Sequence, residues 1–177
     1  RTGVVTSSDP ATVFVSTEVA NESDAPVTAR IHAVLVDDAG KTAATAVSET
    51  ASVASGKAHT FSLQTTVAKP QLWSCESPNM YRAVTTLEVD GKAIDRDSAA
   101  FGIRTLRFDA DKGFFLNGKS IALHGVNRHQ ERIDKGWAIS PADQEEDYRL
   151  IEEMGCTAIR LAHDQQSAKC YAQCDAG

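Results

Sequence analysis

Short runs in which apolar and polar residues alternate dominate the first hundred residues of the chain. Successive side chains of a strand point to opposite faces, so a period of two predicts half-buried β-strands. Turn residues separate these runs, which cover residues 12–20, 27–35, 42–53, 58–67, 81–89 and 92–104. About seven short strands at this spacing are typical of a Greek-key, immunoglobulin-like β-sandwich. The Cys…Trp…Cys spacing of antibody domains is missing, and such a fold alone indicates no function.

The pattern changes after Phe108 to strand, helix, strand and helix. An Asn-Gly pair at residues 117–118 predicts a tight hairpin. Ser140 is the expected N-cap of a helix with a capping box, a short apolar strand covers residues 157–163, and a second helical pattern starts at Ser167. This order predicts parallel strands joined by βα connections.

The predicted fold class is therefore mainly β, in two parts. Residues 1–108 form the immunoglobulin-like β-sandwich, and residues 109–177 form an incomplete (β/α) segment. Two βα units cannot close a barrel of eight strands. We therefore expect a piece cut from a longer protein, with the compartment left open between the cytoplasm and the periplasm or exterior.

Charge and hydrophobicity exclude two kinds of partner. The net charge of −6, with no run of Lys or Arg, predicts neither nucleic-acid nor anionic-membrane binding. No apolar stretch approaches the roughly 18 residues of a membrane span. The four cysteines have no zinc-ligand spacing, and we expect free thiols at Cys75, Cys156, Cys170 and Cys174.

Three blocks of sequence carry a family resemblance. The first is PQLWSCESPNMY at residues 70–81, and the second is FGIR at 101–104 followed by LNGK at 116–119. The third is the pair GVNRH at 125–129 and IRLAH at 159–163. Together they resemble the second family of glycoside hydrolases, which contains β-galactosidases, β-glucuronidases and β-mannosidases. Cys75 and Asp164 depart from the Pro and Tyr that are usual there.

The resemblance implies both a fold and an activity. The segment over residues 109–177 would be the first two βα units of a TIM barrel. The complete enzyme would be a retaining exo-glycosidase that hydrolyses terminal β-D-galactosides, because Asn-Arg-His at 127–129 followed by KGWAIS at 135–140 looks most like the β-galactosidase branch. A β-glucuronidase or β-mannosidase is the alternative within the family.

The resemblance also implies roles for four residues. His129 and His163 would donate hydrogen bonds to sugar hydroxyls, Arg160 would orient the nucleophilic carboxylate, and Asn127 would contact substrate. Retaining hydrolysis needs two carboxyl groups about 5 Å apart, which the family takes from later barrel strands. We therefore expect no catalytic residue and no cofactor in this chain, which alone would be inactive. A divalent metal in the complete enzyme stays open.

Several residues have a structural interpretation instead. Arg128 is expected in a structural ion pair, and Trp137 in a loop where it could flank a sugar ring. Glu131 and Asp134 lie on one loop, so we do not expect them to act as a catalytic pair. Two further functions stay open: a sandwich module for carbohydrate binding or assembly, which a row of exposed aromatics would favour, and a βα tail used for dimerisation. Unburied apolar helix faces predict self-association, or disorder after about residue 133.

Overall fold

The computed structural model describes residues 1–6 and 11–176. The chain divides into two compact units, Arg1–Thr105 and Leu106–Gly177. The boundary predicted after residue 108 falls inside a strand of the second unit, Leu106–Asp109.

The first unit is an antiparallel β-sandwich. One sheet has the strand order β1-β2-β6, and the other has β10-β9-β3-β4, with β5 also paired to β3. A small β7-β8 ribbon completes the unit. The strands are β1 (Thr2–Thr6), β2 (Thr12–Ala20), β3 (Val27–Asp37), β4 (Thr42–Val47), β5 (Ala51–Val53), β6 (Ala58–Thr66), β7 (Trp73–Ser74), β8 (Ser77–Pro78), β9 (Met80–Val89) and β10 (Lys92–Gly102).

The alternating apolar residues form the core of the sandwich. Every second residue of β3 is buried, and the largest fully buried side chains in this unit include Ile31 and Leu35. Burying one such side chain stabilises a fold by about 1.5–3 kcal/mol. Phe61 and Leu63 of β6 belong to the same core, as their shared face predicts. In the described part of this unit, Phe14, at 43%, is the one Phe, Tyr or Trp side chain that is exposed, so no aromatic row is present there for a carbohydrate-binding module.

The strand predicted over residues 42–53 is two strands. Ser48 separates β4 from β5, because its backbone N–H donates to Ile31 O and its hydroxyl accepts from Ile31 N, both at 2.9 Å. Both strands therefore pair with β3, at different positions along it. The sequence predicted one strand because no Gly or Pro marks a break between the two, and the linking residues are the polar Ser48, Glu49 and Thr50.

Two of the motif blocks pack against each other in this unit. Trp73 N donates to Ile103 O at 2.9 Å, and the Arg104 guanidinium lies 4.6 Å from the centre of the Trp73 ring. A Cβ atom at Gly102 would lie 3.0 Å from Cβ of Trp73, closer than normal contact. The small residue at position 102 therefore allows the tryptophan to cover the strand end.

The second unit has the predicted order of strands and helices. Its elements are β11 (Leu106–Asp109), β12 (Gly113–Leu116), β13 (Lys119–Ser120), β14 (Gly125–His129), α1 (Pro141–Glu153), β15 (Ala158–Ala162) and α2 (Ala168–Ala176). The hairpin turn is confirmed by positive φ angles of 51° at Asn117 and 79° at Gly118. The capping box at Ser140 and Asp143 is also present.

Helix α1 buries polar residues and exposes apolar ones. Its buried residues are Asp143 and Gln144, whereas Leu150 on the helix and Met154 at its C-cap are 43% and 70% exposed. Neither helix that the structure describes is long and apolar enough to span a membrane. All four cysteines are free thiols, as predicted.

Candidate functional site

Two adjacent parallel strands bring the predicted histidines together. Strands β14 and β15 pair in register from Gly125 beside Ala158 to His129 beside Ala162. A Cβ atom at residue 125 would lie 3.1 Å from Ala158 O, so Gly125 allows the strands to start close together. His129 ends β14 and His163 follows β15 directly. Both imidazoles therefore lie at the carboxyl ends of the strands.

The two imidazoles form one wall of a cavity. Their ring centres are 5.1 Å apart and the ring planes are inclined at 75°. The cavity has a volume of about 180 Å³ and is lined by His129, Gln130, Glu131, Trp137, Ala162, His163, Asp164, Gln165 and Gln166. Pockets that enclose drug-sized ligands measure roughly 300 Å³ or more, so these residues form a depression of limited depth.

Asn127 and Arg160 lie one step back along the same strands. They are paired in the strand register, and Arg160 Nη1 donates to Asn127 Oδ1 at 3.3 Å. Both side chains are exposed, and neither lines the cavity of the histidines. The structure thus brings the four predicted site residues to one region as two neighbouring pairs.

Arg128 has a structural role, because it points away from that pair and is almost fully buried. Its guanidinium donates to Asp147 Oδ2 from Nε at 3.1 Å and from Nη2 at 2.8 Å. Nη1 donates to Gln166 Oε1 at 2.6 Å, and Gln166 Nε2 donates back to Arg128 O at 3.3 Å. These bonds connect β14, α1 and the segment after β15, which holds the two strand ends in place.

Gln166 and Asp147 are site-supporting residues that the sequence did not reveal. Gln166 lies 38 positions from Arg128, and Asp147 lies 19 positions from it. No local motif marks such distant partners. A polar residue just beyond a strand end, as at Gln166, is the one weak signal available.

The loop between β14 and α1 is attached to the helix through Asp143. This carboxylate is buried, and its Oδ1 accepts from Arg132 Nη1 at 2.8 Å and from Lys135 Nζ at 2.7 Å. Its Oδ2 accepts from the backbone N–H and the hydroxyl of Ser140. Hydrogen bonds from Lys135, from Ser140 and from Arg132 hold the pKa of Asp143 far below its usual range. Asp143 is therefore ionised at neutral pH, and we name Asp143, Arg132 and Lys135 the Asp143 clamp.

Glu131 and Asp134 are not brought to one cavity. Glu131 lines the depression of the two histidines, and Asp134 is absent from that lining. The absence of a catalytic role for the two stays a prediction. In residues 1–6 and 11–176, no group of three His, Cys, Asp or Glu side chains is arranged to hold a metal ion.

Comparison with known families accounts for both units. The sequence model of the family described as glycosyl hydrolases family 2 matches residues 1–104. The chain belongs to this family. The family's TIM barrel domain matches residues 109–177. Both the family resemblance and the mainly β fold class, a sandwich followed by the start of a TIM barrel, are confirmed.

Relatives in glycosyl hydrolase family 2 carry more than one name. A β-glucuronidase of Bacteroides fragilis is 50% identical over 106 residues, which is 59% of this chain and 15% of that protein. A β-galactosidase of Bacteroides ovatus is 33% identical over 165 residues, or 93% of this chain and 19% of that protein. The chain thus spans less than a fifth of the length of either relative.

Solved structures of the family superpose on nearly the whole chain. A Bacteroides uniformis β-glucuronidase matches with a TM-score of 0.88 and 31% identity, covering 98% of this chain and 21% of that one. A Bacteroides vulgatus β-glycosidase matches with a TM-score of 0.80 and 29% identity, covering 99% and 22%. These relatives and structures agree on the family, but their names include both β-galactosidase and β-glucuronidase, so they do not identify the substrate of this chain.

Proposed function

We propose that this chain forms part of the sugar-binding site of a retaining family 2 glycosidase that acts on terminal β-D-galactosides. The observation that supports this proposal is the pair of His129 and His163. Their ring centres are 5.1 Å apart at the carboxyl ends of adjacent parallel strands, and both side chains line one cavity. In βα barrels, substrate-binding side chains come from this end of the strands. Each imidazole can donate or accept a hydrogen bond, which suits sugar hydroxyls.

Arg160 and Asn127 extend this proposed site. The Arg160 guanidinium is exposed and held on one side by Asn127 Oδ1, which leaves donors for a carboxylate. In the complete enzyme that carboxylate would be the nucleophile. Asn127 would set the direction of the guanidinium and contact substrate with its amide.

The charge of the cavity favours a neutral sugar over a glucuronide. Its lining contains two carboxylates, Glu131 and Asp164, and neither Lys nor Arg among the described residues. A glucuronide carries its own carboxylate, which these groups would repel, whereas a galactoside has no charge to be repelled. This supports the galactoside assignment over the alternative that the Bacteroides fragilis relative's name suggests.

Hydrolysis of the glycosidic bond would require an acid and a nucleophile that the described residues of this cavity do not supply. Retention needs an acid and a nucleophile on opposite sides of the glycosidic bond, about 5 Å apart. Within residues 1–6 and 11–176, the cavity has only Glu131 and Asp164 as carboxylates. The two follow the two histidines on neighbouring strand ends, so they share one wall and do not face each other across a sugar. We therefore propose that the catalytic pair belongs to other parts of the complete enzyme.

A binding titration tests the proposed function. Methyl β-D-galactoside and methyl β-D-glucuronide are added to the isotope-labelled chain, and amide and imidazole shifts are followed by NMR. We expect saturable shifts at His129 and His163 with the galactoside, with a Kd of about 1 mM or weaker, which corresponds to roughly −4 kcal/mol. The glucuronide should bind more weakly.

The matched variants are His129→Ala and His163→Ala, with His124→Ala as control. His124 lies immediately before β14, at the opposite end of the strand from His129. The first two variants should abolish the shifts, and the control should keep them. Shifts that persist in both site variants, or a preference for the glucuronide, would contradict the proposal.

A further inference from the structure

Trp137 is an exposed aromatic residue at the edge of the histidine cavity. Its side chain is 70% exposed, and it lines the same cavity as His129 and His163. Because the indole lies beside a cavity that also holds hydrogen-bonding side chains, it can offer an apolar face to a ligand bound there. Ile133 on the same loop is 91% exposed but does not line the cavity.

The loop that carries Trp137 is tightly bonded. Arg132 N donates to Gly136 O at 3.1 Å, and Gly136 N donates to Arg132 O at 2.9 Å. Positive φ angles of 66° at Asp134 and 53° at Gly136 close the turn. The Asp143 clamp then attaches both Arg132 and Lys135 to helix α1. Trp137 follows directly on this anchored turn, so the turn sets where its backbone lies beside the cavity.

We propose that Trp137 is a specificity-determining platform on which one face of the sugar ring stacks, positioned by the Asp143 clamp. This rests on the proposed function, that the cavity takes a sugar. A pyranose presents hydroxyls at its edge and C–H groups on its faces. In β-D-galactose the axial 4-hydroxyl leaves C3–H, C4–H and C5–H as one continuous apolar patch. The indole covers that patch while His129 and His163 bond the hydroxyls.

The platform gives selectivity for an axial 4-hydroxyl. In a glucoside the 4-hydroxyl is equatorial and C4–H lies on the other face, so the apolar patch is interrupted. The stacked ring would then bury less apolar surface against the indole. The ligand class is therefore a neutral hexopyranoside with galacto configuration.

The test compares methyl β-D-galactoside with methyl β-D-glucoside by NMR titration of the full chain. Trp137→Ala should weaken galactoside binding about tenfold, the factor that corresponds to ~1.4 kcal/mol, and bring the two affinities close together. Trp137→Phe should retain most of the preference, because a phenyl ring also offers a flat face. The matched control is Ile133→Ala, which should bind like the unmodified chain.

A second pair of variants tests the clamp. Asp143→Asn removes the charge that pairs with Lys135, and its side-chain oxygen can still accept from Ser140 N. Arg132 loses one of its carboxylate partners but keeps Glu146 at 2.7 Å and Asp147 at 3.1 Å. We expect a several-fold weaker galactoside affinity and a broadened indole N–H signal of Trp137, since the Lys135 end of the loop, next to Trp137, loses its attachment to α1. Ser140→Ala loses a cap bond but keeps both ion pairs, and should leave affinity and the indole signal unchanged.

The outcomes separate the two proposals. If the chain binds galactoside and the His129 variant loses it while Trp137→Ala does not, the platform is wrong and the proposed function stands. Equal weakening of both sugars in Trp137→Ala also overturns the platform's role in specificity. If the unmodified chain binds neither sugar up to their solubility limits, both proposals fail.

Discussion

The buried guanidinium of Arg128 donates to Asp147 Oδ2 from two nitrogens, at 2.8 and 3.1 Å. This pair joins the strand that carries His129 to the helix that carries the Asp143 clamp. Arg128 is 5% exposed and Asp147 has a side-chain exposure of 20%, so water screens the pair poorly. Loss of the cation would leave Gln166 Oε1 without its charged donor, and Asp147 with Arg132 alone, whose Nη2 lies 3.1 Å from Asp147 Oδ1.

Replacing Arg128 by Met should therefore strongly destabilise the second unit. Removing one member of a buried ion pair costs about 3–5 kcal/mol. Urea unfolding followed by the far-ultraviolet circular dichroism of helices α1 and α2, which both belong to the second unit, measures the change. Arg149→Ala is the control, because it removes an exposed pair with Glu153 worth about 0.5 kcal/mol or less. Equal midpoints for the two variants would show that the Arg128 pair contributes little.

The Asp143 clamp predicts a specific pH dependence of stability. Ion pairs and hydrogen bonds lower the pKa of Asp143, with the Lys135 bond as the largest cause. The unfolded carboxyl has a pKa of about 3.9. A lowered folded pKa stabilises the fold above the unfolded value, and this contribution is lost as pH falls through the folded pKa.

At neutral pH, the free energy of unfolding should therefore be higher for the unmodified chain than for the Asp143→Asn variant. That difference should stay constant down to about pH 5 and shrink steadily below about pH 4. Urea titrations across this range, followed by the circular dichroism of helices α1 and α2, measure it. A difference that is the same at all pH values would mean that the charge of Asp143 does not matter.

The contact of Trp73 with Gly102 predicts an overpacking effect in the sandwich. A Cβ atom at residue 102 would lie 3.0 to 3.3 Å from three atoms of Trp73. Gly102→Ala should destabilise the first unit by about 1–3 kcal/mol and shift Trp73 emission to longer wavelength. Gly3→Ala, where the new atom meets only the Ser16 hydroxyl at 3.2 Å, should cost less. Thermal unfolding followed by Trp73 fluorescence, with Trp137 replaced by Phe, decides between them.

Local signals explain what could be predicted from the sequence. The turn at residues 117–118, the cap at Ser140 and the strand ends at His129 and His163 depend on neighbouring residues, and all four are present. The partners of Arg128 lie 19 and 38 positions away, and those of the buried Asp143 on α1 lie 8 and 11 positions away across a loop, so neither set leaves a periodic pattern. The same limit hid the clamp, since Asp143 was recognised only through its local capping box.

The proposed division of the active site predicts that this chain alone does not hydrolyse galactosides. Its cavity offers hydrogen-bond donors, and the acid and nucleophile would come from elsewhere. Purified chain incubated with an aryl β-galactoside should give no aryl alcohol above the rate of buffer. His129→Ala, prepared in the same way, controls for contaminating enzyme. Turnover by the chain that the variant lacks would overturn the division.

Exposed apolar side chains on the second unit predict self-association. Leu150 on α1 and Met154 at its C-cap are 43% and 70% exposed, and Tyr171 on α2 is 44% exposed. Surfaces of this kind bury apolar area when two copies meet, and the gain is about 25 cal/mol per Å². Light scattering should show a mass that rises with concentration, and replacing Leu150 and Met154 by Lys should reduce that mass.

Ile94→Lys, on the exposed sandwich strand β10, is the control and should leave the mass unchanged. If the chain stays monomeric while hydrogen exchange shows residues after 133 protected, the exposed faces do not drive association.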